Sequence, residues 1–303
     1  MLTGESAQDL GVRVLYNMPQ PTHVQLWDGQ RNILQKFTSA GWAGGKAATK
    51  YEKTVNLNRV KAELGFSAAN YFSMVYEKVS SLVNTHMDDL SGTELEQAAP
   101  ALVKQALAEN IRVTMWIGDT SAASGYNTFD GLLKRINGLV DDDGVYNFSY
   151  QAAALEDPAY AVELFDKLWA GADPRIPGLK ADDRLAYFVS SDIYRLYEKY
   201  LDAKGADAAY ADAMNGRRTL AYHGIPVVDV RLGSYLGATS FRQSFVMLTD
   251  RRNLVLAVNT ADMPGNEVRM WYNPDEMENR QRAVFMAGCA ILDESLVTYL
   301  HKQ

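Results

Sequence analysis

Apolar residues recur at helical spacing through the middle of this 303-residue chain and at strand spacing through its last third. Thr93-Glu94-Leu95-Glu96 is a capping-box pattern, in which hydroxyl and carboxylate each close a free amide of the first turn. Ala99, Leu102, Val103, Ala106 and Leu107 then form an apolar stripe, predicting a long helix over about 93–110. Pro100 falls inside it and predicts a kink or a restart one turn in. IRVTMWI (111–117) is apolar and β-rich, and reads equally as more helix or as a strand. Leu132, Leu133, Ile136 and Leu139 predict a short helix ending near Gly138. Asp157-Pro158 is a helix-start signal, with Val162, Phe165, Leu168 and Trp169 as the buried face. LAYFVS (185–190) predicts a strand, after which Ser190 or Ser191 caps a helix bearing Ile193, Leu196, Tyr197, Tyr200 and Leu201, stopped at Gly205. GIPVVDVRL, SFVMLTD, NLVLAVNT, EVRMWYN, RAVFMAGCAIL and SLVTYL predict strands, separated by Gly, Asn, Asp and Pro. Helices early and strands late give an α+β architecture.

The N-terminal third is less regular. Residues 1–30, with Pro19, Pro21 and Gly29, read as an extended arm or a frayed terminus. NILQKFTS and AATKYEKTVNLNRVKAEL flank a tip holding Gly41, Gly44 and Gly45, which predicts a long hairpin. Its second run aligns Tyr51, Lys53, Val55 and Leu57, then changes phase to Val60, Ala62 and Leu64, as at a bulge or a face swap. A two-stranded hairpin is marginal alone, so it must lie on its own domain or on a neighbour. Phe72, Val75, Tyr76 and Val79 have helical spacing. The polar stretch after MWIGD, ahead of FDGLLKRI, reads as a Ser-rich catalytic loop, a ligand loop, or a joint between two elements.

Composition narrows the function. Hydrophobic residues make up 47% of the chain and charged residues 22%, values of an ordinary folded protein. The net charge is −7, and the densest basic clusters are the pairs Arg217-Arg218 and Arg251-Arg252, which disfavours a dedicated DNA-groove binder. The single cysteine, Cys289, lies in the apolar VFMAGCAIL and reads as a buried, inert thiol. No signal peptide or membrane span is legible. His23, His86, His223 and His301 have no metal-ligand spacing, and no G-x-S-x-G surrounds Ser121 or Ser124. Asp141 and Asp143 fall short of a calcium loop. No cofactor, metal or catalytic constellation is predicted, and an interaction role gains weight.

Three stretches carry a family resemblance: MWIGDTSAASGYNTFDGLLKRI, then AYHGIPVVDVRL with SFVMLTDRRNLVLAVNT, then RAVFMAGCAIL ahead of SLVTYL. In order and spacing they resemble the major capsid proteins of tailed bacteriophages, which share the Hong Kong 97 fold with encapsulin shells. The resemblance implies an arm over 1–30, an extended hairpin loop over 31–64, and a peripheral domain with the spine helix over 65–144. It further implies an axial domain over 145–260 and C-terminal strands, 261–303, returning to the peripheral domain. The polar stretch becomes the joint after the spine helix. Trp42, Gly44, Gly45, Lys46, Lys50, Tyr51 and Lys53 become candidate inter-subunit contacts. The implied function is an icosahedral head shell enclosing double-stranded DNA without sequence-specific binding, located in the virion and, during assembly, in the host cytoplasm. The implied partners are copies of the chain in pentamers and hexamers and a portal, with a decoration protein as an optional further one. Because Met1 almost opens the arm, a separate scaffolding protein is implied as well. An encapsulin-like compartment shell is the second reading and a head–tail connector another. A soluble hydrolase using His223, Asp229 and a serine is the reading from a different class.

Overall fold

The structure, a computed structural model, describes residues 5–27, 50–67, 94–141, 145–205, 211–212, 217–218, 220–233, 235, 244–259, 269–276 and 278–302. In chain order its helices are α1 (Glu5–Asp9), α2 (Glu94–Ile117), α3 (Leu132–Asp141), α4 (Tyr160–Ala170), α5 (Ile176–Lys180) and α6 (Ser191–Ala203). The strands of its first half are β1 (Arg13–Tyr16), β2 (Thr22–Trp27), β3 (Lys50–Val55), β4 (Asn58–Ser67), β5 (Tyr146–Tyr150) and β6 (Leu185–Val189). Those of its second half are β7 (Ala211–Asp212), β8 (Arg217–Arg218), β9 (Leu220–Tyr222), β10 (Ile225–Asp229), β11 (Phe245–Asp250), β12 (Leu254–Asn259), β13 (Arg269–Asn273), β14 (Glu278–Ile291) and β15 (Thr298–Lys302).

Two sheets organise these elements. In the five-stranded sheet, β14 is central: β4 pairs with it antiparallel from Glu278 to Ala287, while β13 and then β12 share its other edge, and β1 extends beyond β12 in parallel. The six-stranded sheet runs β5-β15-β11-β6-β10-β9 and is mixed. The two sheets exchange strands across position 260. β12 joins β14 in the five-stranded sheet, and the C-terminal β15 sits between β5 and β11 in the six-stranded one.

The runs with no alternation are strands covered on both faces. In β14, Ala283, Phe285, Ala287, Cys289 and Ile291 join the cluster of α2 and α3, while Met286 and Ala290 join Val24, Val55 and Leu57 on the opposite face. In the six-stranded sheet, Ala186, Phe188, Phe245, Met247 and Tyr299 turn toward α2. Leu185, Tyr187, Val189, Val246 and Leu248 turn toward Phe165 of α4 and Tyr197 of α6. The end of α2 is wedged between both layers. Residues 111–118 are buried without interruption, and the Trp116 ring lies 5.7 Å from Phe188 and 6.1 Å from Phe245, centroid to centroid. IRVTMWI is therefore helix, and burial on all sides is what erased its period. Pro100 lies within that helix, and Thr93 lies outside the described residues.

Several local expectations shift. The helix expected at Asp157-Pro158 begins at Tyr160, because Asp157 accepts the Ala159 N–H and closes a turn first. Ser190 is the N-cap residue of α6, but its hydroxyl bonds Asp192 and Phe245 rather than capping. The phase change at residues 55–60 is a change of sheet: β3 pairs with β2, whereas β4 pairs with β14. The expected hairpin partner, residues 32–39, and the helical spacing around Phe72 lie outside the described residues.

Tyr187 carries a testable cost. It is 0% exposed, and its hydroxyl has no hydrogen-bond partner among the described residues. A buried unsatisfied hydroxyl is unfavourable, so Tyr187→Phe is expected to raise stability by about 1 kcal/mol. A urea midpoint lower than that of the parent chain would contradict it.

Candidate functional site

Of the predicted contact residues, Trp42, Gly44, Gly45 and Lys46 lie outside the described residues. Lys50, Tyr51 and Lys53 lie on β3, opposite Trp27, Leu26 and Val24 of β2. Alternation puts Tyr51, Lys53 and Val55 on one face of that ribbon. Val55 and Val24 are buried against the five-stranded sheet, Lys53 is half-buried, and Tyr51 is 56% exposed. The ribbon is thus anchored at its base and opens outward along one face. Lys53 is not a free cation: its Nζ lies 2.5 Å from Glu294 Oε1 in the 3-10 turn Glu294–Leu296, and both side chains remain partly exposed.

A cleft of about 810 Å³ lies beside that ion pair, lined by Arg13, Tyr51, Lys53, Arg175, Arg184 and Arg252 among others. Arg175 donates from Nε to Asp173 and from Nη1 to Asp293, each at 3.0 Å, and the Asp173 hydrogen bond holds its guanidinium more firmly protonated than usual. Arg184 donates to Asp250 Oδ2 at 2.5 Å. Arg13 and Arg252 are exposed, and neither guanidinium has an ion pair among the described residues. These four arginines come from four separate segments, so no local spacing in the sequence could announce them.

The polar stretch after MWIGD is a closed joint. The Gly131 N–H donates to the Gly118 carbonyl and the Asp119 N–H to the Tyr126 carbonyl, at 2.8 and 2.9 Å. Lys134 Nζ bridges Asp119 and Asp130, 2.7 Å from each. Ser121 donates its hydroxyl to Asp119, and Thr120 donates to Asp130. Ser121 therefore sits on a carboxylate, and among the described residues no imidazole bonds to it. The Lys134 hydrogen bond, then those from Ser121, hold Asp119 down at about 2. At Asp130 burial pushes the carboxyl upward, and the Lys134 and Thr120 hydrogen bonds outweigh it. A depressed carboxylate stabilises the fold above its ordinary value and ceases to as pH falls through the folded value. The thermal midpoint is thus expected to drop between about pH 4 and pH 2, and Lys134→Met should flatten that part of the profile.

The remaining chemical candidates disperse. His223 occupies the turn before β10 and Asp229 its last residue, at opposite ends of one strand. Asp229 instead accepts from Ser191 Oγ at 2.8 Å. His86 and Asp143 lie outside the described residues, and Asp141 is exposed. Among the described residues no three His, Cys, Asp or Glu side chains cluster as metal ligands, and no helix is long and apolar enough to cross a membrane. Cys289 is fully buried, its Sγ donating to the Asp130 carbonyl at 3.1 Å, and burial pushes the thiol up to about 12. It is expected not to react with a disulfide reagent until the chain is denatured; a stoichiometric reaction under native conditions would refute this burial.

No family model matches the chain, and no curated protein sequence does. Its fold, however, is shared across nearly its whole length by chains of known structure. A chain of the satellite phage P4 procapsid, in a structure that includes the size determination (Sid) protein, superposes with a TM-score of 0.59. That match has 10% identity and covers 98% of this chain and 90% of the other. A chain of Gordonia phage Cozz matches at a TM-score of 0.55 and 10% identity over 100% of this chain and 88% of its own. A chain from the capsid of the native GTA particle matches at 0.55 and 13% identity over 100% and 91%. The chain has the mixed α+β fold of phage capsid chains, the class that its three sequence stretches resemble.

Proposed function

We propose that this chain is the major capsid protein of a tailed phage or prophage, self-assembling into the icosahedral head shell that encloses double-stranded DNA. The observation that carries the reading is the end-to-end match to the procapsid chain, over 98% of this chain and 90% of that one. On this reading the fold is of the Hong Kong 97 type. The arm covers 1–30, the extended loop 31–64, the peripheral domain with α2 as spine 65–144, the axial domain 145–260, and the returning strands 261–303. Copies meet as pentamers and hexamers, with a scaffolding protein, a portal and an optional decoration protein as partners. The chain has no catalytic role, and DNA is enclosed without base-specific grip. The outward-opening β2–β3 ribbon supports the reading, since a two-stranded ribbon with an exposed side gains from a neighbour that covers it.

Electron microscopy of the purified chain, with its mass by light scattering, tests this. Polyhedral shells, or five- and six-membered rings on the way to them, are expected. A chain that stays a monomer or dimer at rising concentration, and with its scaffolding candidate added, overturns the proposal.

A further inference from the structure

We propose that the turn between β13 and β14 of one copy docks in the arginine cleft of a second copy, Asp275 pairing with Arg13 and Arg252; the inference rests on the self-assembly reading. Two exposed guanidiniums without an ion pair among the described residues line the cleft together, because Arg13 of β1 pairs with Val255 of β12 and Arg252 lies in the turn that leads into that strand. Adjacent like charges repel, and a carboxylate placed between them relieves that repulsion and matches the guanidinium fork. The turn supplies such a group. Asn273, Pro274, Asp275 and Glu276 form an exposed or half-exposed tip, and Glu276 is held by Arg280. Asp275 has no ion pair among the described residues, only its own N–H donating to Asn273. Trp271, 42% exposed, stands beside the tip as Tyr51, 56% exposed, stands beside the cleft.

Geometry makes this a contact between copies. The tip lies before Glu278 and the cleft includes Leu292, so the two flank the 14-residue β14 at opposite ends. At about 3.3 Å per residue they stand about 45 Å apart and cannot meet within one chain. Opposite charges at opposite ends of one strand favour head-to-tail association and disfavour tip against tip. A heterologous contact of this kind closes into rings where the rotation permits.

The test uses the full chain. Asp275→Arg alone, and Arg13→Glu with Arg252→Glu, are each expected to raise the concentration needed for assembly about tenfold or more. All three substitutions in one chain should return it close to the parent value. Variants that assemble like the parent, or a triple variant no better than either partial one, overturn the contact. If a reversal lowers the melting temperature, Asp275→Asn and Arg252→Gln replace it. Separately, Asp275→Cys chains mixed with Arg252→Cys chains should form a disulfide between copies when a mild thiol oxidant is added to take up the two electrons, with Cys289 buried and silent. Crosslinking without shells supports the contact and removes the shell reading. Shells that form without crosslinking, and despite both reversals, overturn the contact and leave the shell. Neither crosslink nor shell overturns both.

Discussion

Replacing Trp116 by alanine is expected to destabilise the chain by about 3–5 kcal/mol, a large share of a typical domain's stability. The side chain is 0% exposed and belongs to the cluster that joins the two sheets. Its ring neighbours Phe188 and Phe245 are on the six-stranded sheet, while Met115 and Cys289 tie the same helix end to β14. Removing the indole leaves a cavity that rigid strands on both sides cannot collapse to fill. Trp116→Phe should cost much less, because the indole Nε1 is buried without a hydrogen-bond partner among the described residues and phenylalanine removes that unsatisfied donor. Urea unfolding monitored by circular dichroism checks both variants. An alanine variant within about 1 kcal/mol of the parent would show that the sheets hold together without this ring.

The same wedge explains which parts of the fold could be read from the chain. LAYFVS and SFVMLTD announced buried strands, since a sheet covered on both faces needs an unbroken apolar run bounded by turns. IRVTMWI was ambiguous for the same reason: burial on every side removes the periodicity that separates helix from strand. The partner of β3 was hidden differently. THVQLW alternates as a strand should, with Val24 facing the sheet, but Pro19, Pro21 and Gly29 around it read as an irregular arm. The hairpin was therefore read with residues 32–39, which lie outside the described residues. The joint was partly legible, because Asp130 and Lys134 are four apart across the start of α3. Tyr51 and Lys53 entered only through the family resemblance, as part of its extended loop. Arg13, Arg175, Arg184 and Arg252 did not enter at all, since only the two sheets bring them together.

Gly131→Ala is expected to destabilise the chain by about 3 kcal/mol or more, at or above the upper end of ordinary overpacking. A Cβ at Gly131 would stand 2.6 Å from the Gly118 nitrogen and 2.7 Å from the Trp116 carbonyl oxygen. Those are backbone atoms at the C-terminal end of α2 and the residue after it, a helix end locked between the sheets that cannot retreat. Gly118 is bound by the same closeness, since its Cβ would meet the Phe129 and Thr114 carbonyl oxygens at 2.2 and 2.6 Å. The joint is therefore two backbones in direct apposition, clasped by the Gly131 N–H to Gly118 carbonyl bond, and the Asp119–Lys134–Asp130 bridge closes its rim. Gly171→Ala is the control. Its Cβ would come even closer, 2.1 Å, but to the ring of Tyr146, a 47% exposed side chain on an edge strand that is free to swing aside. It should cost less than about 1 kcal/mol. Equal losses from the two substitutions, measured as urea midpoints at unchanged slope, would show that distance alone decides the cost. A large loss at Gly131 with little at Gly171 would show that what decides it is whether the neighbour can move, and that the joint holds the end of the long helix at a fixed angle to α3.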